Sequence, residues 1–187
     1  MHRRAHLSLL LWIMLGACSG ISLADSLPAD DLKVVIIRHA EKPDTGHNLS
    51  CQGQNRALLL PKVLHQKFNY PGEIYVASTG VGRSNAHFRM LETIIPFAVK
   101  YELRIDAEFE LSAYPALVDQ VLKKHGTILI VWEHTGIPAL ATQLGVISPP
   151  RWKGKDFDSI WVISYAGGKA SLFIDREGIE PPIQCAY

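Results

Sequence analysis

Short apolar runs and longer amphipathic stretches alternate along most of the chain. Three of the runs have the length and the apolar, β-branched content of strands: Lys33 to Ile37, GEIYVAS at residues 72–78, and TILIVW at residues 127–132. The first of them is apolar without interruption, which is typical of a strand that is covered on both faces. These runs predict three strands of a sheet.

Helical patterns lie between and after these strands. They run from Gln52 to about Leu60 and on to Phe68, from Asn85 to Ala98, from Tyr114 to Lys124, and from Pro138 to Leu144. Pro61 is expected to kink or restart the first helix, and Pro96 to interrupt the second near its end. Two last segments, SIWVISY and ASLFID, are joined through Gly167-Gly168 and predict a hairpin.

The order of these elements predicts the fold class. Strands alternate with helices through most of the chain, and a hairpin follows. Alternation of this kind is typical of a sheet with helices on both faces, and a terminal hairpin adds antiparallel strands. We therefore expect an α/β protein, a three-layer α/β/α sandwich whose sheet is mostly parallel with an antiparallel edge.

The N-terminus has the character of an export signal. A cationic start, MHRRAH, precedes the apolar run LSLLLWIMLGA, which is too short for a comfortable membrane span. Leu15 to Cys18 has the form of a bacterial lipobox, whereas Ser22 to Ala24 suits a soluble-protein signal peptidase; of the two we favour the lipobox. Residues 1–24 are thus predicted to be a signal, with Cys18 as a possible lipid tether to a bacterial envelope, and residues 25–187 one domain.

Composition excludes several classes of partner. The 187 residues carry 19 lysines and arginines against 18 acidic residues, so overall charge gives no argument for binding nucleic acid. No cysteine and histidine cluster has zinc spacing, and a structural metal site is not expected. Cys51 and Cys185 permit one disulfide in an oxidising compartment, although the sequence does not show that they meet.

Charged side chains follow two of the apolar runs. Arg38, His39 and Glu41 come after the first, and Glu133 and His134 come directly after TILIVW. Ligands of open α/β sheets bind beyond the carboxyl ends of the strands, so both histidines are expected to face one crevice. Arginines of the segments that follow the first two strands add to this group: Arg56, Arg83 and Arg89.

Two imidazoles among guanidinium groups are suited to phosphoryl transfer. A neutral imidazole attacks phosphorus near neutral pH without a separate base. Arginines that are fixed before the reaction stabilise the charge on the equatorial oxygens, and a carboxylic acid is needed to protonate the leaving oxygen.

Four segments in order resemble the histidine phosphatase superfamily, also called phosphoglycerate mutase-like. RHAEK (residues 38–42) is similar to the RHG signature of this family. LSCQGQNRALLL (49–60) resembles the start of the family's first helix, and RMLET (89–93) resembles the segment that carries its second phosphate-binding arginine. EHTGIPALATQLG (133–145) corresponds to the segment of its second histidine. The sequence departs from the family pattern at two places. Ala40 stands where glycine is usual, and Thr135-Gly136 follows His134 where the family usually has glycine directly after the histidine.

The resemblance implies a role for each matching residue. His39 is the expected nucleophile, forming a transient phosphohistidine, and the phosphoryl group is bound by Arg38, Arg89 and His134. No metal or organic cofactor is implied. For the general acid we select Glu110 over its neighbour Glu108 and over Glu133, whose side chain would point away from His134 if the strand stays regular. Supporting contacts to the substrate are expected from Glu41, Arg56, Arg83 and Glu133.

The sequence therefore predicts an exported phosphomonoesterase of histidine acid phosphatase type that acts on a small phosphorylated substrate. Hydrolysis is favoured over mutase activity because the compact chain leaves the phosphohistidine open to water. The alternative is a non-catalytic module of the same fold that binds an anionic ligand, which Ala40 and the uncertain acid motivate. A metal-storage protein is disfavoured because the histidines are not clustered. The substrate and the oligomeric state are not encoded in a readable motif.

Overall fold

A six-stranded mixed sheet forms the centre of the molecule in the computed structural model, which describes residues 27–80 and 87–185. The strands are β1 (Lys33–Arg38), β2 (Glu73–Val76), β3 (Ile105–Asp106), β4 (Thr127–Trp132), β5 (Ser159–Ala166) and β6 (Lys169–Arg176). Their order is β3-β2-β4-β1-β5-β6. The first four are parallel, β5 runs antiparallel to its neighbour β1, and β6 runs antiparallel to β5. The predicted fold class is confirmed.

The two central strands position the functional residues. β1 pairs with β4 in parallel register, from Lys33 opposite Thr127 to Arg38 opposite Trp132. The His39 N–H extends this ladder by donating to the Trp132 carbonyl at 3.1 Å. The residues that follow the two strands therefore leave the sheet side by side.

Four helices complete the architecture: α1 (Cys51–Phe68), α2 (Phe88–Tyr101), α3 (Tyr114–Val121) and α4 (Ile137–Gln143). They pack as two pairs, α1 with α2 and α3 with α4. Val34 to Ile37 of β1 are at most 1% exposed, so both faces of the central sheet are covered. This burial is what an uninterrupted apolar strand requires.

The first helix does not restart at Pro61, because α1 continues through this residue to Phe68. The helix begins at the N-cap Ser50, whose hydroxyl accepts a hydrogen bond from the Gly53 N–H at 3.1 Å. Leu60 and Leu64, on either side of the proline, are at most 1% exposed. Packing of this face offsets the one backbone hydrogen bond that proline removes.

The other boundaries differ from the prediction by a few residues. Helix α2 likewise continues through Pro96, and α3 ends at Val121 rather than at Lys124. The two-residue strand β3 was not predicted, because a pair of half-buried residues carries no period.

None of the described helices is long and apolar enough to cross a membrane. The predicted signal segment, Cys18 and Arg83 lie outside the described residues.

Candidate active site

The imidazole of His39 is held by its own backbone neighbour at the end of β1. It is 2% exposed, and its Nδ1 atom lies 2.7 Å from the Ala40 carbonyl oxygen. Because a carbonyl oxygen only accepts, Nδ1 carries the proton and donates. The other ring nitrogen, Nε2, is then the unprotonated one, with a lone pair available for attack.

The surroundings of His39 keep this imidazole neutral. Its pKa is lowered to about 3, chiefly by burial and in addition by the positive charges of Arg38, Arg89 and His134, while the hydrogen bond to Ala40 opposes the shift. Three cationic or potentially cationic groups therefore act electrostatically on one ring. The structure brings together four of the residues that the sequence singled out as catalytic.

Arg38 is anchored to a loop far away in the sequence. Its Nη1 atom donates to the carbonyl oxygens of Gly154 at 2.8 Å and of Asp156 at 3.1 Å. Its guanidinium carbon lies 3.9 Å from the centroid of the Phe157 ring, within cation–π distance. Burial lowers the pKa of Arg38 to about 10, so the guanidinium remains charged near neutral pH.

Three buried nitrogens around His39 are suited to binding an anion: Arg38 Nε, Arg89 Nε and His134 Nδ1. None has a hydrogen-bond partner among residues 27–80 and 87–185. Buried donors without a partner are costly, and an anionic ligand would satisfy them. Burial lowers the pKa of His134, and the charges of Arg38 and Lys42 act in the same direction.

Thr93 links the backbone after His39 to helix α2, a contact that the sequence did not predict. Its Oγ1 atom accepts a hydrogen bond from the Ala40 N–H at 2.9 Å and donates one to the Arg89 carbonyl at 2.6 Å. The backbone next to His39 is thereby tied to the backbone of Arg89. The only sequence signal for this contact was the position of Thr93 within the RMLET segment.

Arg56 and Glu41 pair with each other, which differs from the substrate contacts expected of them. Arg56 donates to the Glu41 carboxylate from Nε at 3.0 Å and from Nη2 at 2.8 Å, and Nη1 donates to Glu177 at 2.6 Å. All three side chains are buried. The carboxylates occupy the guanidinium fork, so this group acts as a buried ion-paired triad that fixes α1 against the segment after His39.

A glycine allows α1 to approach that segment. A Cβ atom at Gly53 would lie 2.1 Å from the Glu41 carbonyl oxygen, so no other residue fits without moving the backbone. The Glu41 carbonyl in turn accepts a hydrogen bond from the Ser50 N–H at 2.9 Å. The glycine of the LSCQGQ motif thus has a packing function that the spacing alone did not reveal.

The two candidate acids occupy different environments. Glu133 lies beyond the end of β4, where strand alternation no longer governs its direction, and its charge acts on both Arg38 and His134. Glu110 is exposed, on a loop whose Phe109 carbonyl accepts a hydrogen bond from the Ser78 N–H at the end of β2. The described residues contain no group of three or more histidines, cysteines or acids that could hold a metal ion.

No family model matches the chain, and no curated protein matches it. Among solved structures, the protein histidine phosphatase SixA complexed with tungstate aligns with a TM-score of 0.59 and 13% identity, over 78% of this chain and 97% of that one. A mycobacterial glucosyl-3-phosphoglycerate phosphatase with inorganic phosphate aligns with a TM-score of 0.52 and 15% identity, over 76% and 95%.

A phosphoserine phosphatase mutant of Entamoeba histolytica in complex with phosphoserine is a third structural neighbour. Its TM-score is 0.53 at 13% identity, over 79% of this chain and 97% of that one. At identities this low the alignments establish the fold alone, which is shared over nearly the whole length of each neighbour. The chain therefore has the fold of the histidine phosphatase, or phosphoglycerate mutase-like, superfamily.

Proposed function

We propose that the protein is a phosphomonoesterase of histidine phosphatase type that works through a phosphohistidine on His39. The Nε2 lone pair attacks phosphorus, the bond between phosphorus and the ester oxygen breaks, and a carboxylic acid protonates the departing alcohol. Water then attacks the phosphohistidine, which releases inorganic phosphate and restores the neutral imidazole.

One observation carries this proposal: a buried imidazole, fixed in one tautomer by Ala40, lies in the field of Arg38, Arg89 and His134. The ring is neutral and ready to attack, so no separate base is required. The guanidinium groups are already in place for the charge on the transferring group, which is the condition for electrostatic stabilisation without reorganisation. The structural neighbours, which act on phosphorylated histidine, serine and glucosylglycerate, support this reaction class.

For the general acid we propose Glu110, with Glu133 as the competitor. Glu110 lies on the loop beside the end of β2, at the same edge of the sheet as His39. Glu133 acts electrostatically on Arg38 and His134, so we assign it a different task. Its negative charge partly opposes the burial that lowers the pKa values of these two groups.

We also propose that the protein acts outside the cytoplasm. Cys51 and Cys185, which are 134 residues apart, form a disulfide in the structure. Disulfides persist in oxidising compartments such as the bacterial periplasm, which agrees with the export signal proposed for residues 1–24. Tethering through a lipidated Cys18 remains part of this proposal.

The experiment that tests the function is phosphate release from 4-nitrophenyl phosphate, together with trapping of the covalent intermediate from a labelled ester. We expect turnover and a labelled adduct in the wild type, and neither in His39→Ala. Activity that persists undiminished in His39→Ala would exclude the mechanism. Bound phosphate without any adduct or turnover would instead identify a non-catalytic anion-binding module, an alternative that the fully buried Ala40 at the signature glycine position motivates.

A further inference from the structure

A second cleft, of about 600 Å³, opens directly beside His134. Its walls include His134 and Gly154 on the side of the proposed active site, and Arg151 and Lys153 on the other side. A Cβ atom at Gly154 would lie 3.8 Å from His134 Nε2, which shows how closely the loop approaches the imidazole. A substrate whose phosphoryl group lies at His39 therefore has room to extend into this cleft.

The loop that carries these cations is fixed rather than loosely attached. Arg38 donates to its Gly154 carbonyl, and the indole of Trp152 is 4% exposed and donates from Nε1 to the Asp156 carbonyl at 2.9 Å. The Trp152 ring also lies against Trp161 of β5, with the two centroids 5.2 Å apart. The backbone from which Arg151 and Lys153 project is thus held in place before any ligand binds.

The cations of this loop are not paired with its acids. Arg151, Lys153 and Lys155 are exposed and form no ion pair with another described residue, and the same is true of Lys42. The two acids of the loop have other partners: Asp156 accepts from the Ser159 hydroxyl at 2.6 Å and from two backbone N–H groups, and Asp158 pairs with Arg176 at 3.3 Å and accepts from the Gly178 N–H at 2.8 Å.

Three lysines elsewhere pair with nearby acids: Lys67 with Asp175, Lys123 with Asp119 and Lys124 with Glu73. Exposed lysines without an ion pair to a described residue also occur singly, at Lys33, Lys62, Lys100 and Lys169, whereas residues 151–155 carry three such cations within five positions. The formal net charge of the whole chain is only +1, so the surplus beside the cleft is local. The charge of Lys42 reaches the cleft as well, since it acts on His134.

We propose that this cleft binds a second anionic group of the substrate, through Arg151 and Lys153. The substrate is then a phosphate ester whose alcohol part carries a carboxylate or a further phosphate. Arginine and lysine side chains are the usual partners of both groups in proteins. This inference rests on the proposed phosphatase function and narrows its substrate class.

Binding to the inactive His39→Ala protein tests the cleft without requiring turnover. The probes form two matched pairs, measured by calorimetry: glycerol 3-phosphate against 3-phosphoglycerate for a carboxylate, and fructose 6-phosphate against fructose 1,6-bisphosphate for a phosphate. In at least one pair, we expect the ester with two anionic groups to bind at least tenfold more tightly than the ester with one. Adding Arg151→Gln and Lys153→Met should reduce this ratio of dissociation constants to about one.

A matched control removes a cation from the opposite end of the sheet. Lys169 begins β6 opposite Ala166, at the end of β5 that lies furthest from His39, and Lys169→Met should leave the binding ratio unchanged. A wild-type ratio near one in both pairs, or a ratio that survives the loss of Arg151 and Lys153, would overturn the cleft proposal. Neither result affects the phosphatase proposal, which fails separately if wild-type protein forms no adduct and hydrolyses no ester.

Discussion

Arg38 donates a hydrogen bond of 2.8 Å to the carbonyl oxygen of Gly154, a residue 116 positions further along the chain. The bond joins the end of the central strand β1 to the loop that precedes β5. One guanidinium group can therefore fix that loop through Nη1 while Nε, which has no partner among the described residues, is left for an anion. The anchoring of the loop and the proposed binding of a phosphoryl group thus depend on the same side chain.

The first prediction concerns this double use of Arg38. Lysine supplies a single point charge and cannot donate to two carbonyls and an anion in a planar fork. Arg38→Lys should therefore lower kcat/KM for 4-nitrophenyl phosphate by about 100- to 1000-fold, the loss typical of removing a donor that stabilises transition-state charge. Steady-state kinetics on the purified variant measures this.

Arg104→Lys is the control for the same substitution at an exposed site at the other end of the sheet, near Glu73. It should leave kcat/KM within twofold of the wild type. A comparable loss in both variants would show that the effect is not specific to the site, and near-wild-type kinetics of Arg38→Lys would remove Arg38 from the proposed machinery.

The sequence was most informative where the backbone ladder dictates position. Apolar runs at Lys33 to Ile37 and TILIVW predicted β1 and β4, and the parallel register of these strands places their following residues together. The convergence of His39 and His134 could thus be anticipated from strand ends alone. The arginine that comes directly before His39 was found by the same reasoning.

Contacts that depend on tertiary packing could not be read from the sequence. Thr93 and the carbonyls of Gly154 and Asp156 act through backbone hydrogen bonds, which no side-chain pattern reports. The pairing of Arg56 with Glu41 was not predicted, since only the packing of α1 brings Glu41 and Glu177 to the same guanidinium. Strand alternation could not decide the direction of the Glu133 side chain, because this residue lies one position beyond the end of β4.

The second prediction separates the two candidate acids by the leaving group. An alcohol that leaves poorly needs a proton, whereas 4-nitrophenolate leaves without one. Glu110→Gln should therefore lower kcat for glycerol 3-phosphate at least tenfold more than kcat for 4-nitrophenyl phosphate. Glu133→Gln should change the rates for both esters by similar factors, because it alters the charge around Arg38 and His134 and not the proton given to the leaving group. If the leaving-group dependence instead follows Glu133→Gln, the assignment of Glu110 is wrong.

The third prediction follows from the lowered pKa of His39. A ring with a pKa of about 3 stays neutral at pH 5, where histidines of the unfolded chain, with a pKa near 6.5, are protonated. The unfolded state thus binds a proton that the folded state does not, and the free energy of unfolding must fall as the pH falls below about 6.5. At pH 5 this single group contributes a loss of about 2 kcal/mol.

Two measurements check this expectation. Nitrogen chemical shifts should show the His39 ring unprotonated at pH 5 in the folded protein and protonated in urea. The decrease in unfolding free energy from pH 7.5 to pH 5 should be smaller in His39→Asn by about 2 kcal/mol, the contribution of the missing imidazole. A folded-state titration of His39 near pH 6.5 would contradict the neutral nucleophile.

The fourth prediction concerns the ion-paired triad of Arg56, Glu41 and Glu177. Arg56→Met leaves two buried carboxylates without their cation, which should destabilise the protein by about 3–5 kcal/mol at pH 7.5. Burial raises the pKa of Glu177, and the charge and hydrogen bond of Arg56 oppose that shift, so loss of Arg56 raises the pKa further. A carboxyl with a raised pKa opposes folding more as the pH rises, so the deficit of the variant should be smaller at pH 5 than at pH 8.

Arg176→Met provides the matched control for the triad. Arg176 also pairs with an acid, Asp158 at 3.3 Å, but its side chain is exposed. Its loss should change stability by less than about 1 kcal/mol at either pH. Urea unfolding at the two pH values compares both variants, and a pH-independent deficit in Arg56→Met would show that lost packing rather than unpaired charge is responsible.

The fifth prediction concerns the disulfide that joins the start of α1 to the C-terminal tail. Replacing Cys51 and Cys185 by serine releases a closed loop of 134 residues in the unfolded chain, which should cost about 2–5 kcal/mol of stability. Asn55, which donates to the carbonyls of Pro182 at 2.8 Å and Gln184 at 2.7 Å, still contacts the tail, so the variant should fold and keep its activity under mild conditions. Wild-type protein unfolded in urea with a strong reductant should match the double variant, because both lack the same crosslink. If the reductant destabilises wild type but the variant remains as stable as oxidised wild type, the crosslink does not act by constraining the unfolded chain.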